Sequence, residues 1–306
     1  MVFLLLKFAI EDFLDDRRFK NLSPRTIEDY KQILNDFYSF ITEQGKMNVE
    51  DVTTGDIKRY LLQAKDKGNK PTTINRKLVN LKIFFNYMVQ EKIISENPVK
   101  LQRQKVDVKI ETFTDEQVRQ ILGYFRRLKQ REKTFYAYRD YLIILTLLGT
   151  GIRRGELCNL RWKDIDFENY KMIVMGKKRQ QRTVPLTEKL RQELIEYQLF
   201  LKKRFSLTDD DFVFTTSTKR RLSENALGNI FKRLSKIMNF KDVRLSPHTF
   251  RHTFAKNWIM NGGDVFSLQR ILGHSTIDMT NRYVTLFGSA LKEQNDKFNP
   301  LNNMDL

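Results

Sequence analysis

Lys171-Met172-Ile173-Val174-Met175-Gly176-Lys177-Lys178-Arg179-Gln180-Gln181-Arg182-Thr183-Val184-Pro185-Leu186 decides the fold class. Lys171–Met175 and Arg182–Leu186 are short runs with β-branched residues (Ile173, Val174, Thr183, Val184), and Gly176–Gln181 between them is a basic loop of hairpin length. Outward in both directions the periodicity turns helical. Thr114-Asp115-Glu116-Gln117 carries a capping signal for a helix running towards Gln130. Tyr141 to Leu148 is a continuous apolar run, read as a buried helix that stops at Gly149 or Gly151. From Thr187 onward the pattern is helical again, interrupted by the apolar run Asp211-Phe212-Val213-Phe214. The expected class is mainly α with a small antiparallel β-sheet.

The upstream third contains no such strand signal. Ser23-Pro24 opens a helix with a capping hydroxyl and a proline in its first turn, and Ile27, Tyr30, Ile33, Leu34, Phe37 and Phe40 follow at helical spacing. Pro71-Thr72-Thr73 opens another, striped by Ile74, Leu78, Leu81, Phe84, Phe85 and Met88. Asn97-Pro98 breaks the helical pattern, because proline denies the preceding residue a helical backbone, and a polar stretch from Lys100 follows. Two domains are therefore expected: a helical one over 1–106, a linker over 107–112, and a second over 113–306 that carries the sheet.

The chain has 55 Lys+Arg against 37 Asp+Glu, a formal net charge of +18. Residues 1–110 contribute +5 of this and residues 111–306 contribute +13. Such an excess points to a polyanion, nucleic acid first and an acidic membrane surface second. The entrance of the helix after Pro71 is itself basic: Lys65, Lys67, Lys70, Arg76, Lys77 and Lys82 stand against Asp66. Cations, threonines and free backbone N–H groups at a helix start suit phosphates, so Lys70, Thr72, Thr73, Asn75, Arg76 and Lys77 are candidate DNA contacts, with a solvated helix face as the plain alternative. Lys178 and Arg179 of the hairpin loop join them. The single cysteine, Cys158, excludes an intrachain disulfide and any multi-cysteine metal site. The apolar start Met1–Leu6 is too short for a membrane span, and a reducing cytoplasm fits best.

The three histidines, His248, His252 and His274, all lie in the last 60 residues. In Ser246-Pro247-His248-Thr249-Phe250-Arg251-His252, a helix starting at Pro247 would put His248 and Arg251 on one face. Leu272-Gly273-His274-Ser275 follows, and Tyr283 comes nine positions after His274. Upstream, Thr150-Gly151-Ile152-Arg153-Arg154-Gly155-Glu156-Leu157 sets Arg153 just past a glycine turn. Taken in order, these fragments and Thr280-Asn281-Arg282-Tyr283 resemble the tyrosine recombinase (phage integrase) family, nearest to its compact Xer-type bacterial members. The resemblance spans essentially the whole chain, with Pro71-Thr72-Thr73-Ile74-Asn75-Arg76-Lys77-Leu78 similar to part of the family's SAM-like, helical core-binding domain.

That resemblance implies site-specific DNA recombination through a 3′-phosphotyrosyl intermediate. It makes Tyr283 the nucleophile, Arg153 and Arg251 the grip on the scissile phosphate, His248 and His274 the rest of the anion pocket, and Lys177 the general acid. The family usually has glycine after that lysine; Lys178 stands there, so either lysine could serve. The chemistry suits these residue types. Guanidiniums hold non-bridging oxygens with paired hydrogen bonds. A tyrosine hydroxyl, with a pKa near ~10, needs nearby cations and a base, for which His248 is positioned. The phosphotyrosine conserves the bond energy, so neither a metal nor a nucleotide cofactor is implied. The implied partners are a double-stranded recombination site and further recombinase subunits, in a tetrameric synapse of one or two recombinases assembled through a C-terminal exchange segment around 289–306. A type IB topoisomerase-like nicking enzyme and a non-catalytic DNA-binding protein are the alternatives. His252 reads as structural, and Arg153 could simply pair with Glu156.

Overall fold

In the computed structural model, which describes residues 4–106, 109–176 and 180–287, the chain divides into two units, Met1–Val108 and Lys109–Leu306. Among its described residues the first is built on helices: α1 (Leu6–Phe19), α2 (Pro24–Thr42), α3 (Thr54–Asp66) and α4 (Pro71–Gln90). Ser23 accepts from the Thr26 N–H at the start of α2, as its capping signal requires. Thr53 and Asp56 satisfy each other's backbone N–H groups at the start of α3. An aromatic centre joins the helices, with Phe13 edge-on to Tyr30 at 5.2 Å and to Phe84 at 5.5 Å between ring centroids. The expected stripe on α4 is buried.

The second unit begins with α5 (Asp115–Glu132), capped by Thr114 and Gln117, and α6 (Phe135–Thr150). Tyr141 to Ile144 and Leu147 are buried in its core, which explains an apolar run without amphipathic alternation. Gly151, at φ +62°, ends α6. Then follow α7 (Arg154–Asn159) and three antiparallel strands in the order β1 (Ile165–Asp166), β2 (Lys171–Met175) and β3 (Gln181–Pro185). The β2–β3 register pairs Met172 with Val184 and Val174 with Arg182, which buries Met172, Val174 and Val184 on one face. Strand β3 begins one residue earlier than expected, and the two-residue β1 is too short to leave a periodic signal. The run Asp211–Phe214 forms no full strand: Phe212 makes an isolated bridge to Arg161, while Val213 and Phe214 are fully buried.

Five more helices follow among the described residues: α8 (Glu188–Lys202), α9 (Glu224–Met238), α10 (Pro247–Met260), α11 (Val265–Leu272) and α12 (Asp278–Phe287). Cys158 is buried, and desolvation pushes its thiol up to about 11, consistent with a packing role. Lys177, Lys178, Arg179 and the segment 289–306 lie outside the described residues. No helix among the described residues is long and apolar enough to cross a membrane.

Candidate active site

The last carbonyls of a helix have no partner within it and carry the negative end of its dipole. At the end of α11 three consecutive carbonyls each receive one arginine, and each arginine comes from a different part of the chain. Arg182 Nε, from β3, donates to the Ile271 carbonyl at 2.7 Å. Arg251, from α10, donates to Leu272 at 2.7 Å, and Arg153, just before α7, donates to Gly273 at 2.7 Å. The two arginines singled out from the sequence therefore meet at one turn. Arg182 is a third member that sequence reading missed, because an arginine in a strand next to a basic loop looks like any other solvated cation.

Glu156 ties two of the three together. Its carboxylate accepts from Arg182 through both terminal nitrogens, at 2.7 and 2.8 Å, and from the Arg153 side chain at 2.9 Å and backbone N–H at 2.7 Å. The Arg153–Glu156 pairing weighed from the sequence is thus present, and it is compatible with convergence: a guanidinium has five N–H groups. Arg153 and Arg251 each use two side-chain nitrogens on the protein. Among the described residues the other three N–H groups on each take no further hydrogen bond. Arg251 is 4% exposed, and its second bond, 2.8 Å to the Gly151 carbonyl, fixes it against the turn that precedes Arg153. A Cβ at Gly151 would lie 2.7 Å from Phe254 and 2.9 Å from Leu272, so this close approach and the positive φ both require glycine.

Three buried or half-buried cations crowd together here, and the one carboxylate among them bonds only Arg153 and Arg182. Desolvation, with Arg153 next, pushes Arg251 down to about 9, which still leaves it charged at neutral pH. The same crowding acts on His274: burial, then Arg251, Arg153 and Arg182, push its imidazole down to about 3. Its Nδ1 is 2.8 Å from Thr280 Oγ1, on a fully buried threonine of α12. This leaves Nε2 as the ring's remaining polar atom. A cleft of about 700 Å³ opens over this region, lined by Arg153, Arg182, Arg270, Gly273, His274 and the two ends of the hairpin loop, Gly176 and Gln180. An anion entering it would offset the surplus positive charge.

Tyr283, in α12, is 3% exposed and packs against Ala255, Ile259, Leu268 and Leu272. Its ring lies nearly parallel to that of His274, with centroids 6.3 Å apart. Its hydroxyl is 2.7 Å from Nδ1 of His252. His252, read from the sequence as structural, is thus the histidine hydrogen-bonded to the phenol among the described residues. Positions 252, 255 and 259 lie on the stripe of α10 that meets α12, and His248, one turn earlier on the same stripe, is exposed and without a hydrogen bond among the described residues. Partial burial and the guanidiniums of Arg251, Arg154, Arg153 and Arg244 hold the His248 imidazole below its usual range.

In the first unit the candidate DNA contacts separate. Lys70 and Thr72 are exposed at the start of α4, Thr73 is half-buried, and Arg76 pairs with Asp29 at 3.1 Å. Asn75 is engaged twice with the backbone of Gln104, both bonds at 2.8 Å. Lys77 is largely buried. It is 9% exposed, donates to the Tyr60 hydroxyl at 2.8 Å and pairs with Asp36 at 3.2 Å. Its position midway between Ile74 and Leu81 on the buried stripe was the signal available in the sequence.

Residues 111–288 match the phage integrase family, and residues 10–95 match the phage integrase N-terminal SAM-like domain. The chain belongs to the phage integrase family. Among curated relatives, the tyrosine recombinase XerC of Thermodesulfovibrio yellowstonii is 30% identical over 98% of both chains. That of Chlorobaculum parvum is 30% identical over 92% of this chain and 90% of its own. The tyrosine recombinase XerD of Oceanobacillus iheyensis is 28% identical over 97% and 99%. Among solved structures, the Tn1549 transposon integrase in complex with a circular intermediate DNA superposes with a TM-score of 0.74 at 26% identity, covering 92% of this chain and 94% of that one. This integrase is accordingly a tyrosine recombinase of the Xer type, an enzyme that breaks and rejoins DNA.

Proposed function

We propose that this recombinase cuts one DNA strand by attack of Tyr283 Oη on a phosphodiester, forming a 3′-phosphotyrosyl bond and freeing a 5′ hydroxyl. Arg153 and Arg251 hold the non-bridging oxygens, His274 and His248 complete the pocket, and Lys177 protonates the departing 5′ oxygen, with Lys178 as the other lysine within the same loop. The reading rests on one observation: guanidiniums from separate stretches of the chain meet at the Leu272–Gly273 turn, one residue before His274. Strand exchange requires further subunits on the DNA, and we assign their coupling to the segment 289–306 of each subunit in a tetrameric synapse. Incubation with a library of randomised duplexes should give wild-type chain covalently joined to a DNA 3′ end. Tyr283→Phe should give none. An adduct of unchanged yield in Tyr283→Phe would overturn the assignment, and relaxation without exchange between two captured sites would mark a nicking and closing enzyme instead.

The exposed start of α4 is assigned to the duplex backbone through Lys70, Thr72 and Thr73. Each phosphate neutralised by a cation releases condensed counterions, so affinity falls with salt in proportion to the contacts made. Lys70→Ala should weaken binding and lower the salt slope by about 1. Lys77→Met should leave that slope unchanged, since its ammonium faces Tyr60 and Asp36. Band-shift titrations across a salt series distinguish the two.

A further inference from the structure

The three arginines that meet at the end of α11 are not equivalent. Among the described residues, Arg153 and Arg251 donate through their terminal nitrogens only. Arg182 donates through every side-chain nitrogen: Nε to the Ile271 carbonyl at 2.7 Å, and Nη1 and Nη2 to the two oxygens of Glu156 at 2.7 and 2.8 Å. A guanidinium whose planar fork is already filled by a carboxylate is poorly placed to grip a phosphate as well. Its side chain is also the less open of the pair on Glu156, 12% exposed against 27% for Arg153. Arg182 shares a face of β3 with the fully buried Val184, so its stem points inwards.

What Arg182 holds is the surroundings of Arg153. The Arg153 side chain has two partners among the described residues, Glu156 and the Gly273 carbonyl. Arg182 fixes the first through both carboxylate oxygens. It fixes the second from beneath the turn: it bonds the carbonyl two residues earlier, and its stem fills the space under Gly273, where a Cβ would lie 2.9 Å from Cδ and 3.0 Å from Nε. We propose that Arg182 is a positioning residue for strand cleavage, setting the Arg153 guanidinium towards the attacked phosphate by fixing both groups to which Arg153 is bonded. This deepens the recombinase reading above and rests on it. Arg251 depends on Arg182 less, because one of its two carbonyls, that of Gly151, lies outside this network. Without Arg182, Glu156 keeps Arg153 alone and the turn loses its support. A displacement of about 1 Å at a group that must meet the reacting centre costs about 10²-fold in rate.

The test uses the full chain and a duplex enriched by wild-type capture from a randomised library, with single-turnover adduct rates read at saturating duplex. Arg182→Gln should slow adduct formation by about 10²-fold while band-shift affinity stays within a few-fold of wild type. Arg182→Lys keeps the cation but reaches Glu156 or Ile271, not both, so it should recover only part of that loss. The decisive measurement is a cycle with Arg153→Ala. Because Arg182 acts through Arg153, adding Arg182→Gln to Arg153→Ala should slow the reaction by less than about threefold more. A further slowing of about tenfold or more would make Arg182 an independent ligand of the phosphate and overturn the proposal. So would a rate within about threefold of wild type in either single variant, which with lowered urea stability is the result that a merely structural role gives. If neither variant folds, arginine ¹⁵Nε spectra of Tyr283→Phe with and without the duplex decide. The Arg153 resonance should shift and that of Arg182 should hold its place; an Arg182 resonance that moves as far as that of Arg153 overturns the proposal. Failure of the recombinase reading is separately visible, because Tyr283→Phe would then still form an adduct.

Discussion

Arg251→Ala is expected to slow covalent adduct formation by about 10³-fold while leaving duplex affinity within a few-fold of wild type. Affinity is spread over many phosphates, whereas charge developing on the attacked phosphate meets few donors. Arg251 is the most buried of the three converging arginines, and its two carbonyl bonds, to Gly151 and Leu272, fix the guanidinium before substrate arrives. A donor that need not reorganise is worth more in the transition state than one that must. Arg251→Lys separates charge from geometry. An ammonium keeps the cation but cannot hold two carbonyls and still present a planar fork, so it should recover only part of the loss. Single-turnover adduct rates beside band-shift affinities make the measurement. If Arg251→Lys reacted at the wild-type rate, the guanidinium's fixed position would not matter to catalysis.

What the sequence revealed and what it hid follow from the range of the interactions involved. Helices α2, α4 and α5 were legible because their caps and stripes are local: Ser23, Pro71, Thr114 and the spacing of Ile74 to Met88 act within a few residues. The β2–β3 hairpin was legible for the same reason. Arg153, Arg251, His274 and Tyr283 were found through the order of short motifs, not through any local pattern that shows them meeting. Three features depended on contacts between distant segments. Arg182 is 89 residues from the carbonyl it caps. His252 acquires its place only because α12 brings the Tyr283 hydroxyl, 31 residues along the chain, to its Nδ1. Lys77 was misread because charge composition outweighed its position on a buried stripe, where Tyr60 and Asp36 supply the partners that make burial tolerable.

The largest stability effect is expected at Glu156. This 5% exposed carboxylate is the only acidic group hydrogen-bonded to the converging arginines among the described residues, and it accepts four hydrogen bonds from Arg153 and Arg182. Glu156→Ala leaves both guanidiniums buried without that partner, beside Arg251, and should cost about 3–5 kcal/mol. Glu156→Gln keeps the shape and some of the hydrogen bonds, and should cost about half as much. Burial raises the Glu156 carboxyl, but the hydrogen bonds from Arg182 and from the Arg153 N–H outweigh it, so the net shift is downward. A carboxylate whose folded pKa is depressed adds stability above its unfolded pKa, and that stability is lost as pH falls through the folded value. The gap between wild type and Glu156→Gln should therefore be full at neutral pH and close progressively below about pH 4. Both tryptophans, Trp162 and Trp258, belong to Lys109–Leu306, so urea unfolding followed by tryptophan fluorescence reports on this unit. A gap that stayed constant from pH 7 to pH 3 would mean that the Glu156 charge contributes nothing and that the cluster is held by its carbonyl bonds alone. The prediction also bears on activity, because a cluster of three guanidiniums against one carboxylate has a strong reason to accept a phosphate.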